Sequence, residues 1–120
     1  MKSNHIENAK IFKAFCDETR LLVISLLQSG EKCACDLLEQ VRVGQSTLSH
    51  HMKILIESGV VVARKDGKWT YYSINQEGSK TAIELLASIT AIEVGTAKIR
   101  RDCTTDNASH TKNVVMFGEI

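Results

Sequence analysis

The chain has 120 residues, is 43% hydrophobic and 24% charged, and carries a formal net charge of +1. That is enough apolar material for one modest core and too much for a disordered polymer. It excludes a chain that holds nucleic acid by bulk charge, so any basic surface has to be local.

Residues 5–16, HIENAKIFKAFC, place Ala9, Phe12 and Cys16 on one face of a first helix, with Ile11, Ala14 and Phe15 beside it. Asp17 is suited to cap a second helix, TRLLVISLLQSG, which is apolar nearly all round through Leu21, Leu22, Val23, Ile24, Leu26 and Leu27. That helix is expected at the buried centre, ending at Ser29-Gly30. A short helix is expected at about 33–41, then a tight turn at RVG. The fourth helix is QSTLSHHMKILIESG, in which Leu48, Met52 and Leu55 recur at i, i+4, i+7 and should face inward. Ser46, Ser49, His50 and Lys53 then share the solvent side, with His51 partly packed. VVVARKDGKWTYYSI reads as two strands joined at Asp66-Gly67, a pair suited to a type I′ turn. A last helix is expected from about 77 to 101, where Leu85, Ile89, Ile92, Thr96 and Ile99 form a heptad-like stripe. The domain is taken to span 1–103, with 104–120 a flexible tail.

A short helix, a turn, a helix with one polar face and then a hairpin make a winged helix–turn–helix: mainly α, with a β-hairpin wing. The second helix of the pair would enter the major groove by its N-terminal end. Gln45, Ser46, Thr47, Ser49 and His50 are short or amide-bearing side chains that reach base edges and phosphates there, and Lys53 suits a phosphate one turn on. Arg64, Lys65 and Lys68 cluster round the hairpin tip, where a wing touches the backbone or the minor groove. Double-stranded DNA is the expected partner. No apolar run reaches membrane-spanning length and the polar start MKSNHIENAK is not a signal peptide, so a cytoplasmic protein without a membrane partner is expected.

The runs DETRLLVISLL, GEKCACDLLEQ, STLSHHMKIL, ESGVV and RKDGKWTYY resemble the ArsR/SmtB metalloregulatory repressors, and within them the arsenic-responsive branch, across residues 10–75. The resemblance implies a homodimer joined through its first and last helices, bound to an operator of arsenic-resistance genes and released when a metal or metalloid binds. It also implies that Cys33 and Cys35, the CxC of GEKCACDLLEQ, hold the inducer, arsenite or antimonite.

The residues make a case for that site by themselves. Four cysteines at 16, 33, 35 and 103 do not form a secreted disulfide framework, and clustered thiols in a cytosolic chain point to metal or thiol chemistry. A helix N-terminus with Lys32 adjacent should lower a thiol pKa, and soft sulfur selects soft ions such as trivalent arsenic, antimony, cadmium or lead. Yet i and i+2 point to nearly opposite sides of a regular helix, so one ion can bridge Cys33 and Cys35 only if this helix start is irregular or unwinds. Relatives of this type often carry CxCxxC; here the third position is Leu38, leaving Cys103 or Cys16 as candidate third ligands. Cys16 is expected to be buried on an apolar face, and Cys103 to be the more accessible thiol. The last helix offers Glu84 and Glu93 but no His, which discounts the family's zinc site there. Two alternatives within the same fold stay open: a redox or persulfide sensor, with Cys16 and Cys103 a conceivable pair, and a cadmium or lead sensor. An enzyme is not expected, since the sequence places no His/acid pair beside Cys33 to make it a nucleophile and no cofactor motif is present.

Overall fold

Two short side chains start the helical part of the fold. Asn4 accepts the N–H of Glu7 at 3.1 Å at the head of α1 (His5–Lys13). Asp17 accepts those of Thr19 and Arg20, at 2.8 and 3.2 Å, at the head of α2 (Glu18–Leu27), as the sequence predicts. The computed structural model describes residues 4–94. After α2 come a two-residue strand β1 (Lys32–Cys33), α3 (Ala34–Val41), α4 (Gln45–Glu57), β2 (Val61–Asp66), β3 (Trp69–Ile74) and α5 (Gln76–Ile89). The architecture is mainly helical with a hairpin wing: a winged helix–turn–helix.

The buried core is Ala14, Val23, Leu27, Leu37, Val41, Leu48, Met52, Leu55, Val60, Val61 and Ala82, drawn mostly from α2, α3 and α4 and the connections beside them. Leu48, Met52 and Leu55 all face inward as their spacing requires. The second helix is less central than its composition suggests. Val23 and Leu27 are buried, but Leu21 and Leu22 are exposed, because a helix beside a small core can bury only one stripe.

The sheet has three strands in the order β1-β3-β2, all antiparallel. β2 and β3 pair from Val61↔Ile74 to Asp66↔Trp69, so the hairpin loop is Gly67-Lys68 rather than Asp66-Gly67. Gly67 has φ +66° and Lys68 does not share a positive φ, which is the type II′ pattern and corrects the expected type I′ turn. The helix–turn–helix connection is the tight turn expected at Arg42–Gly44. Its left-handed residue is Arg42 (φ 59°), which ends α3, while Gly44 is extended and serves as the N-cap of α4.

At α5 the helix comes so close to the turn after α4 that a Cβ on Gly78 would overlap the carbonyl of Gly59. The Asn75 amide donates to the same carbonyl at 2.9 Å. The helix ends at Ile89, short of the predicted 101. Thr90 leaves helical geometry, with its N–H and its hydroxyl both donating to the Leu86 carbonyl, at 3.2 and 2.7 Å. Residues 91–94 begin a second unit and carry no regular structure. Ile92 is therefore not on the helix, and Thr96, Ile99, Cys103 and the expected boundary at 103 lie outside the described residues.

Candidate DNA interface and thiol cluster

The helix pair α3–α4 is joined by three residues, Arg42, Val43 and Gly44. With Leu48, Met52 and Leu55 turned inward, Gln45, Ser46, Thr47, Ser49, His50 and Lys53 are all exposed on the other face of α4. The six predicted residues thus form one polar surface beginning at a helix N-terminus, where backbone N–H groups add to the attraction for phosphate. Gly44 supplies no capping side chain, which leaves those N–H groups open.

What holds α4 at its angle is a contact that sequence reasoning missed. The buried guanidinium of Arg20 donates to the Lys13 carbonyl through Nε (3.1 Å) and to His51 Nδ1 through Nη1 (2.8 Å). An arginine has no lone pair to offer, so His51 Nδ1 accepts and its proton sits on Nε2, which lies 3.8 Å from Asp17. Asp17 therefore caps α2 and faces the recognition helix at once. Burial works to raise the Asp17 pKa, but the N–H groups of Arg20 and Thr19, with the charge of the Arg20 guanidinium, hold it below the usual carboxylate value. His51 is half-buried, as predicted, and the sequence signal was its adjacency to an exposed His50.

The wing places Lys65 and Lys68 in solvent near its tip. Arg64 is different. Its Nε and Nη2 donate to the two carboxylate oxygens of Glu31, each at 2.9 Å, and its guanidinium lies 4.7 Å over the Tyr71 ring. Nη1 is 3.8 Å from Asp66. The Glu31 pKa is lowered by that hydrogen-bonded partner. The expected wing cation is thus already engaged within the protein.

Cys33 and Cys35 are brought together, and the geometric difficulty raised by their spacing resolves. Cys33 is not in the helix: it is the extended N-cap of α3 (φ −80°, ψ 152°) and the last residue of β1, paired with Tyr71 of the wing. Freed from helical periodicity, its sulfur, the Cys35 sulfur and an Asp36 carboxylate oxygen lie within 4.8 Å of one another. No unwinding is needed. A hydrogen bond from the Cys35 thiol, helped by the Asp36 N–H at the helix start, lowers the Cys33 pKa, and the same thiol pair raises that of Cys35. Lys32, the neighbour expected to lower it, is not among the causes; its ammonium donates to Ser29 Oγ at 3.0 Å. The third-ligand expectation changes too. Cys16 is exposed, not buried, in the α1–α2 connection and does not join the cluster; Cys103 lies outside the described residues. The residue that does join is Asp36, which only the turn from strand to helix brings round.

A cleft of about 270 Å³ runs from Cys35 of this cluster to Gln45 and Ser49 on the polar face of α4. Cys35 and Leu38 line it from α3, Gln45 and Ser49 from α4, Lys68 and Trp69 from the wing. A second groove, about 380 Å³, lies between α1 and α5, where Phe12, Phe15, Ile83 and Leu86 present apolar surface.

Residues 17–62 match the family described as bacterial regulatory protein, arsR family. The chain is 43% identical over 79 residues to an uncharacterised HTH-type transcriptional regulator of Methanocaldococcus jannaschii, covering 65% of this chain and 89% of the other. It is 48% identical over 69 residues to an arsenical resistance operon repressor of Staphylococcus aureus, covering 58% of this chain and 66% of that one. Among solved structures it is similar to an ArsR family transcriptional regulator, with a TM-score of 0.64 and 25% identity over 74% of this chain and 91% of that one.

Proposed function

Since the chain belongs to the arsR family of DNA-binding transcriptional repressors, we propose that it is a homodimeric repressor of arsenical-resistance genes, released from its operator when trivalent arsenic or antimony binds Cys33 and Cys35. The observation that carries this reading is the thiol pair itself, with both sulfurs on one side of the α3 start and one of them on a strand of the wing sheet. Arsenous acid condenses with two thiols and releases two waters, and soft sulfur is the donor that such an ion prefers. Cys33, with the lowered pKa, is the thiol suited to attack first.

Gln45, Ser46, Thr47, Ser49 and His50 read the operator from the N-terminal half of α4, while Lys53, Lys65 and Lys68 neutralise phosphates. A dimer sets two such helices about one helical turn of DNA apart, roughly 34 Å. Its interface is the α1/α5 face, where Phe15, Ile83, Leu86 and Ile89 are exposed. Release follows if the ligand binds the DNA-free conformation more tightly, and by reciprocity DNA then weakens the ligand. The cleft supports this coupling, because Cys35 borders the same space as Gln45 and Ser49.

Anisotropy titration of a palindromic DNA from the gene's own promoter tests the reading. Arsenite should release wild type, and should leave the Cys33→Ser/Cys35→Ser protein bound. A second reading, cadmium or lead as inducer, draws on Asp36, whose oxygen beside two thiolates offers a harder third donor than a thiol. Release by cadmium but not by arsenite would decide for it.

A further inference from the structure

We propose that Glu31 and Arg64 are a positioning pair that couples the thiol strand to the wing, so that occupation of the Cys33/Cys35 site is felt at the DNA face through them. The proposal rests on the inducer reading above. It begins with register. Arg64 of β2 stands opposite Tyr71 of β3, and Tyr71 stands opposite Cys33 of β1, so the three form one row across the sheet. Direct cross-strand partners project to the same face. One end of the row carries the reactive thiol and the other the wing's arginine.

A two-residue strand makes too few ladder bonds to hold a fixed position by itself. The residue before it supplies what the ladder lacks. Glu31 reaches across the central strand to Arg64 with two parallel 2.9 Å bonds, while the guanidinium lies over the Tyr71 ring that it spans. A two-point carboxylate–guanidinium contact fixes orientation as well as distance, which a lysine could not do. Both partners are substantially exposed, so the pair is worth little to fold stability. Its consequence is geometric: β1 and β2, the two outer strands, are held as one body, and any shift of Cys33 is passed to the wing.

Arg64 acts here from within the protein and not as a phosphate ligand. Lys65 and Lys68 remain to meet the DNA backbone. The two roles differ in what they do to salt dependence, since removing one phosphate ligand lowers the salt slope by about one.

The test uses the full chain, its promoter DNA and arsenite, with Glu31→Gln, Arg64→Gln, Arg64→Lys and the Glu31→Gln/Arg64→Gln double variant. Thiol titration reports arsenite binding without DNA, and the ratio of DNA Kd with and without arsenite reports coupling. Every variant should keep arsenite protection of two thiols, a wild-type salt slope, and a DNA affinity without arsenite within about threefold of wild type. The Kd ratio should fall at least about fivefold in each, a loss at the lower end of ordinary coupling factors. The double variant should be no worse than the singles, and Arg64→Lys should not rescue. An undiminished ratio in Glu31→Gln overturns the pair while leaving the inducer reading intact. So does an Arg64→Gln protein that keeps the ratio but loses about one unit of salt slope, which makes Arg64 a phosphate ligand. A wild type whose thiols bind no arsenite, or that keeps its DNA when they do, overturns the inducer reading and the pair together.

Discussion

Helix α4 lines the cleft and strand β1 leads into the helix that lines it from the other side, yet the two owe their shapes to different things. α4 is a local object: thirteen residues, one apolar stripe in Leu48, Met52 and Leu55, one polar face. β1 is two residues long and exists only because β3 lies beside it. The first would be helical in any fold that offered a core. The second takes its conformation from Tyr71 and Tyr72, nearly forty positions downstream. The proposed repressor would use both kinds of element, a rigid one to present side chains to DNA and a borrowed one whose position depends on a ligand.

That contrast can be broken most severely at the buried side of α4. Leu55 is fully buried, and Leu55→Ala should cost about 2–5 kcal/mol in urea unfolding, with DNA binding lost as the fold is lost. Arg20→Met removes the donor to both His51 and the Lys13 carbonyl, and should cost about 2 kcal/mol. In that variant α4 remains helical by circular dichroism while operator affinity falls, because the tether and not the helix has gone. Gly78→Ala drives a Cβ into the Gly59 carbonyl and should cost about 1–3 kcal/mol by displacing α5 from the turn that follows α4.

The polar side of α4 should respond in the opposite way. Lys53→Ala is expected to leave stability within about 0.5 kcal/mol and to lower the salt slope of DNA binding by about one. The smallest effect sharpens the other element. Cys33 has a lowered pKa and Cys35 a raised one, so near neutral pH iodoacetamide should label Cys33 first. The preference should narrow as pH rises through the ordinary thiol range, where both become thiolate. Peptide mapping across pH reads this directly, and equal labelling at neutral pH would remove the proposed order of attack.

The polar surface of α4 was legible in the sequence because its residues follow one another within a few turns. Gln45 to Lys53 needed only the period of a helix. The thiol pair was legible in its residues but not in its geometry. Treating Cys33 as the first residue of a helix made the pair diverge, and nothing within GEKCACDLLEQ marks Cys33 as a strand end. Asp36 stayed hidden for the same reason. The wing was foreseen, but its turn was placed one residue early, since Asp-Gly and Gly-Lys are both compatible with a tight hairpin. The last helix stops short of the end of its apolar stripe, since a stripe carries no signal for the residue, Thr90, at which the backbone leaves helical geometry.

Sequence alone was enough for the succession of helices and hairpin, the inward stripe of α4, the cap at Asp17 and the presence of two closely spaced thiols. These are short-range properties, set by periodicity, capping and turn chemistry within a few residues. Tertiary structure alone decided that Cys33 belongs to the wing sheet, that Arg64 is held by Glu31, and that Arg20 reaches His51. Each joins groups thirty or more positions apart. Such contacts depend on how packed elements meet, and a local pattern carries no record of which distant residue will stand opposite.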